Sequence, residues 1–105
     1  MSKTTFALVA LLLAGTAQAQ SAAEVAKLNQ ARYLAANCAN CHGTQGRAQA
    51  GFFSLAGYPK EAFVAQMKAF RDGTRPATIM HQLAKGYSDE QIELMAEYFA
   101  RQSRQ

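Results

Sequence analysis

Cys38 and Cys41 are separated by two residues and His42 follows directly, giving Cys38-Ala39-Asn40-Cys41-His42. These are the only 2 cysteines among 105 residues, and there are only 2 histidines. A chain of this length forms one small domain. Such a domain buries a modest part of its surface, so it usually needs a disulfide, a metal or a bound group to hold it together. The Cys-Cys-His cluster is the place for that staple. Composition narrows the field. Half of the residues are apolar and 17% are charged, which excludes a disordered polyelectrolyte. A formal net charge of +4 does not mark a nucleic-acid binder. No apolar run reaches the roughly 18 residues of a membrane-spanning helix. A multidomain enzyme, a channel and a disulfide-dense toxin are excluded together.

The N-terminus carries an address. Lys3 supplies a positive start, Phe6 to Ala14 is an unbroken apolar run, Gly15 and Thr16 interrupt it, and Ala17-Gln18-Ala19 is a small-x-small cleavage site. This is the pattern of a secretory signal peptide cleaved after Ala19. Residues 1–19 are then the signal peptide, and residues 20–105 are the mature domain in the periplasm. An oxidising compartment permits a disulfide between the two cysteines, and equally permits them to hold a cofactor.

The mature chain reads as all-α, with no period-2 alternation and no Val/Ile-rich strand. A first helix is expected from Ser21 to Asn37, with Ser21 and Glu24 as a capping box and Val25, Leu28, Ala31 and Ala35 as its apolar face. A glycine-rich loop follows from Gly43 to Tyr58. Its Phe52, Phe53 and Leu55 suggest buried aromatics wrapped around something. Pro59 opens the next helix, with Phe63, Met67 and Phe70 as its stripe and Gly73 as its stop. A short helical turn covers Thr78 to Ala84 and is closed by Gly86. Ser88 and Gln91 form a capping box for the last helix, whose buried face is Ile92, Met95, Ala96 and Phe99.

The spacing C-x-x-C-H is the attachment signature of c-type haem. Two cysteines on one helical turn reach the two vinyl groups of a porphyrin and form thioethers. The next residue places an imidazole under the iron as its proximal ligand. The rival readings are weaker. A thioredoxin-type C-x-x-C belongs to a βαβ context. A zinc site needs four ligands, and Cys38, Cys41 and His42 fall short unless His81 joins. A disulfide over so short a loop adds little.

Four side chains could take the opposite face of the iron: Met67, Met80, Met95 and His81. Met67 and Met95 sit on helical apolar stripes, where methionine fills cores. Met80 stands apart in the segment after Pro76, where the chain can return across the open haem face. A thioether opposite a histidine raises the reduction potential and suits electron transfer. Neighbours on a helical turn point about 100° apart, so Met80 and His81 cannot both ligate. His81 is expected at the surface.

Cys38–His42 followed by Gly43-Thr44-x-Gly46, then Leu55-Ala56-Gly57, then a methionine turn before Ser88-Asp89-Glu90-Gln91-Ile92, resembles a class I cytochrome c over nearly all of the mature chain. The resemblance implies a small α-helical fold whose N- and C-terminal helices cross over one covalent haem. It also implies Cys38 and Cys41 as thioether donors, with His42 and Met80 as axial ligands. Members usually carry a proline shortly before the Leu-x-Gly stretch, whose carbonyl accepts a hydrogen bond from the proximal histidine. Phe53 stands there instead. Every residue carries a carbonyl, so the acceptor survives while the loop geometry is open.

Phe70 to Met80 and Ala84 to Ser88 are similar to the cytochrome subunit of flavocytochrome c sulfide dehydrogenase. In that family an FAD flavoprotein oxidises sulfide and the cytochrome takes the electrons. The resemblance implies a monohaem, non-enzymatic electron-transfer subunit with a flavoprotein partner. The alternatives are a free soluble carrier to an oxidase or other periplasmic acceptor, and a haem protein for gas binding or peroxide chemistry. Lys60, Lys68, Arg71, Arg75 and Lys85 read as solvated cations, a few of which could ring the haem edge.

Overall fold

The computed structural model describes residues 21–104, and the expected signal peptide lies outside them. Within the described residues helix α1 covers 21–36, α2 is the single turn Ala39–His42, and a 3₁₀ turn covers Thr44–Gly46. Then come α3 (Lys60–Asp72), α4 (Met80–Leu83), a second 3₁₀ turn (Ala84–Gly86) and α5 (Asp89–Ala100). No strand occurs among the described residues, in agreement with the all-α expectation.

Helix α5 begins as its sequence dictates. The Ser88 Oγ accepts from the Gln91 amide at 3.2 Å, and the Ser88 amide donates to Gln91 Oε1 at 2.9 Å. This closed capping box satisfies backbone donors that the first turn would otherwise leave open. Ser88→Ala is expected to cost about 1 kcal/mol. A urea titration reads this as a lower midpoint with unchanged slope; an unmoved midpoint contradicts the cap's contribution.

Periodicity places the rest of the core. Ile92, Met95, Ala96 and Phe99 of α5 are buried and pack with Phe63 and Met67 of α3, Ala84, and Ala35 of α1. The Phe63 and Phe99 rings lie 5.6 Å apart. Five of the ten buried apolar residues are alanines, so the protein-only core is thin. Phe70 is half-buried, with the Arg75 guanidinium 5.3 Å from its ring centroid.

Ion pairs zip α3 antiparallel to α5. Lys60, at the start of α3, meets Glu97 and Glu93 at 3.1 and 3.2 Å; Arg71, near its end, meets Asp89 at 2.7 Å, and Lys68 reaches Asp89 at 3.7 Å. Three of the five cations expected to be solvated are therefore paired. The Arg71 guanidinium, with Lys68 behind it, holds the Asp89 carboxyl below its ordinary value, and Lys60 does the same for Glu97. Their stabilisation is full above the ordinary carboxylate range and fades as pH falls through the lowered values. Exposure keeps each pair's contribution small.

Two expectations for α1 fail. Ser21 is itself helical rather than the capping residue in front of the helix. Val25 and Leu28 are 54% and 42% exposed, and only Ala31 and Ala35 of the anticipated face are buried. Val25 and Leu28 line an open groove with Leu94, Glu97 and Tyr98 of α5 instead of packing tightly on it, and residues 21–30 are all exposed.

Candidate haem site

The chain turns at residues 37 and 38 between α1 and α2. The Cys38 amide donates to Ala35 O at 3.0 Å, and the Cys41 and His42 amides both return to Cys38 O, at 3.3 and 2.8 Å. These bonds set both thiols on one turn. Both cysteines are free, Cys38 half-buried against the core and Cys41 exposed. Burial, reinforced by the adjacent Cys41, pushes the Cys38 thiol up to about 11. A disulfide-exchange centre needs a thiol with a lowered pKa, so Cys38 runs against thiol-exchange chemistry. The zinc reading also lacks residues: among those described, no three His, Cys, Asp or Glu side chains gather to hold a metal ion.

His42 Nδ1 lies 2.5 Å from Phe53 O. A carbonyl cannot donate, so Nδ1 carries the hydrogen and Nε2 keeps its lone pair. That is the tautomer a metal requires at Nε2. A carbonyl behind the ring also fixes its orientation. The missing proline thus leaves the acceptor in place.

The loop reaches His42 by closing on itself. Gly46 O accepts from the Leu55 and Ala56 amides at 2.8 and 3.1 Å. Gly46 has φ +78°, and a Cβ there would sit 2.7 Å from Ala56 N and 2.9 Å from Phe99 Cδ1. Only glycine permits both this backbone and this approach. The aromatics expected to be buried in the loop are not: Phe52 and Phe53 are 60% and 56% exposed. Phe53 instead meets Tyr58 edge-on, ring centroids 5.3 Å apart.

Met80 is the first residue of α4, two positions later than the expected start of that turn. It is half-buried and packs against the same core cluster as Cys38. Met67 and Met95 are buried core residues, as their stripes predicted. His81 is a correction. It is half-buried, and its Nδ1 is enclosed without a hydrogen-bond partner. The packing of α4 along α3 draws the start of this short helix away from the surface.

The donor chemistry fits a c-type haem: two free thiols on one turn, an imidazole with Nε2 available, and thioether sulfur in the returning segment. Phe52, Phe53, Ile79 and Leu83 add exposed apolar surface of the kind a porphyrin covers. An all-helical domain with this equipment has the make-up of a class I c-type cytochrome. The Cytochrome c family model matches residues 26–103, and the chain belongs to that family. Membership of that family implies a covalently bound haem c.

Among its relatives, the cytochrome subunit of sulfide dehydrogenase from Chlorobaculum tepidum is 39% identical over 71 residues, 68% of this chain and 64% of that one. The thiosulfate dehydrogenase electron acceptor of Stutzerimonas stutzeri is 40% identical over 67 residues, 60% of this chain and 31% of the relative. Cytochrome c-554(548) of Halomonas halodenitrificans is 38% identical over 69 residues, 62% of this chain and 83% of the relative. The chain thus spans less than two thirds of the first two. No helix among the described residues is long and apolar enough to cross a membrane.

Proposed function

We propose that Cys38 and Cys41 would hold the haem as thioethers, and that His42 Nε2 and Met80 Sδ would ligate its iron. The observation that carries this reading is the His42 Nδ1–Phe53 O hydrogen bond, which leaves Nε2 without a proton to lose, in the same turn as two free cysteines. Bound there, the haem supplies one-electron redox chemistry. The protein's own work is to hold it, fix the His42 ring and place Met80. Histidine–methionine ligation favours the reduced iron and a raised potential.

The donor in this reading is an FAD-bearing flavoprotein that oxidises sulfide, and the site of exchange is the periplasm after cleavage at Ala19. In favour stand the 39% identity to a sulfide dehydrogenase cytochrome subunit and the stretches Phe70–Met80 and Ala84–Ser88. A second reading is a free carrier. It draws on cytochrome c-554(548), whose length the chain matches over 83%. Gentle purification of the tagged chain from cells that make it separates the two. Flavin co-eluting in stoichiometric amount is expected; a flavin-free monomer leaves the carrier reading standing.

A further inference from the structure

We propose that Arg104 and Arg47 form a reciprocal clasp between the C-terminal tail and the 43–58 loop, which positions the Phe53 carbonyl on His42 and thereby tunes the reduction potential. The proposal rests on His42 being an axial ligand. Arg104 donates from Nε and Nη2 to Gly57 O, at 3.1 and 2.7 Å. In the opposite sense, Arg47 Nε donates to Ser103 O at 3.1 Å. Each segment lends a guanidinium to a backbone carbonyl of the other. Hydrogen bonds to a charged donor are stronger than neutral ones.

The clasp has a built seat. Gly57 sits at φ +66°, and a Cβ there would lie 2.6 Å from Arg104 Cγ and 2.8 Å from its Nε. The Arg104 side chain therefore lies across the bare face of this glycine. The tail is itself turned back on α5: the Gln102 amide donates to Phe99 O at 3.1 Å, and Gln102 Nε2 to Tyr98 O at 2.8 Å. Gly57 N donates to the same Phe99 O at 2.8 Å, so loop and tail converge on the last turn of α5.

Phe53 lies inside this frame. Its neighbour Ser54 accepts from the Ala48 amide at 3.0 Å, and Leu55 and Ala56 are pinned on Gly46. Arg47, next to Gly46, ties that end of the loop to the tail through Ser103 O, and Arg104 grips Gly57, the residue after Ala56. The two arginines so hold both sides of the segment that presents the Phe53 carbonyl. A firmly held carbonyl strengthens the hydrogen bond from Nδ1, lets the imidazole donate more electron density to the iron and lowers the potential. Arg47 and Arg104 are positioning residues in this scheme; neither touches the iron's ligands.

The test uses the holoprotein, Arg104→Ala and Arg104→Lys, read by visible spectrum, amide hydrogen exchange and redox titration. Wild type should show a low-spin haem with ring resonances of a bound His42. Arg104→Ala should keep that spectrum, exchange the Ala56 and Gly57 amides about threefold to tenfold faster, and titrate at a higher potential. Arg104→Lys, which restores one charged donor, should fall between the two. Exchange and potential both unchanged in Arg104→Ala overturns the clasp while the ligand assignment stands. Faster exchange with an unmoved potential makes the arginine merely structural and also overturns it. A wild type without haem-bound His42 removes the ground for it, and that failure is visible before any variant is made.

Discussion

Met80→Ala should abolish the weak red absorption band of iron–sulfur ligation and turn the low-spin spectrum high-spin. Loss of the thioether removes the ligand that favours reduced iron, so the potential should fall by on the order of a tenth of a volt or more. The variant should also bind carbon monoxide readily, because one axial position is then open. Met67 and Met95 cannot step in without leaving the buried core they fill. His81 is the side chain to watch, being next in sequence and carrying a nitrogen without a partner. A variant that stays low-spin with a bis-imidazole spectrum would show that His81 takes over. A band that survives in Met80→Ala would disprove Met80 ligation. A wild type that is already high-spin and takes up carbon monoxide would favour the gas-binding reading over electron transfer.

Phe99→Ala should be the most destabilising single change in the apoprotein frame. Phe99 is among the largest fully buried side chains, with Ile92 and Met95. It packs against Phe63 and Tyr98, at centroid distances of 5.6 and 5.2 Å, and its Cδ1 faces Gly46 across the loop. Truncation should cost about 3–5 kcal/mol, the range for a buried phenylalanine whose cavity cannot collapse. With so many alanines around it, little else can fill the gap. Thermal unfolding of the holoprotein should show the loss as a large drop in midpoint, with the 43–58 loop loosened as well. A shift no larger than that of Ser88→Ala would mean that the haem, not the α3–α5 core, carries the stability.

What the sequence disclosed follows the range over which its signals act. The α5 cap and its Ile92, Met95, Ala96 and Phe99 face obey local rules, three and four residues apart, and the structure matches them. The Cys38–His42 motif is equally local. Periodicity identifies the stripe of α1 but not how tightly a neighbour packs on it; Val25 and Leu28 stay exposed in an open groove beside α5. Phe52 and Phe53 are expected to be buried because so long an irregular loop suggests that it wraps something, whereas both are more than half exposed in the protein itself. His81 reads as a surface residue because it points about 100° away from Met80 on the same turn, whereas the packing of α4 on α3 half-buries it and encloses its Nδ1. The contacts that brace the proximal histidine had no local signal at all. Arg47 and Ser103 are 56 positions apart, and Arg104 and Gly57 are 47 apart, so only the closed fold joins them.

The most direct test is the mass of the tryptic peptide from Tyr33 to Arg47 in protein made with haem-attachment machinery. That peptide holds both cysteines and His42. It should carry the mass of one haem, with the addition abolished when Cys38 and Cys41 are both replaced by serine. A peptide recovered as two free thiols or as a disulfide, from protein that is otherwise folded, would contradict attachment at Cys38 and Cys41 and return the pair to thiol chemistry.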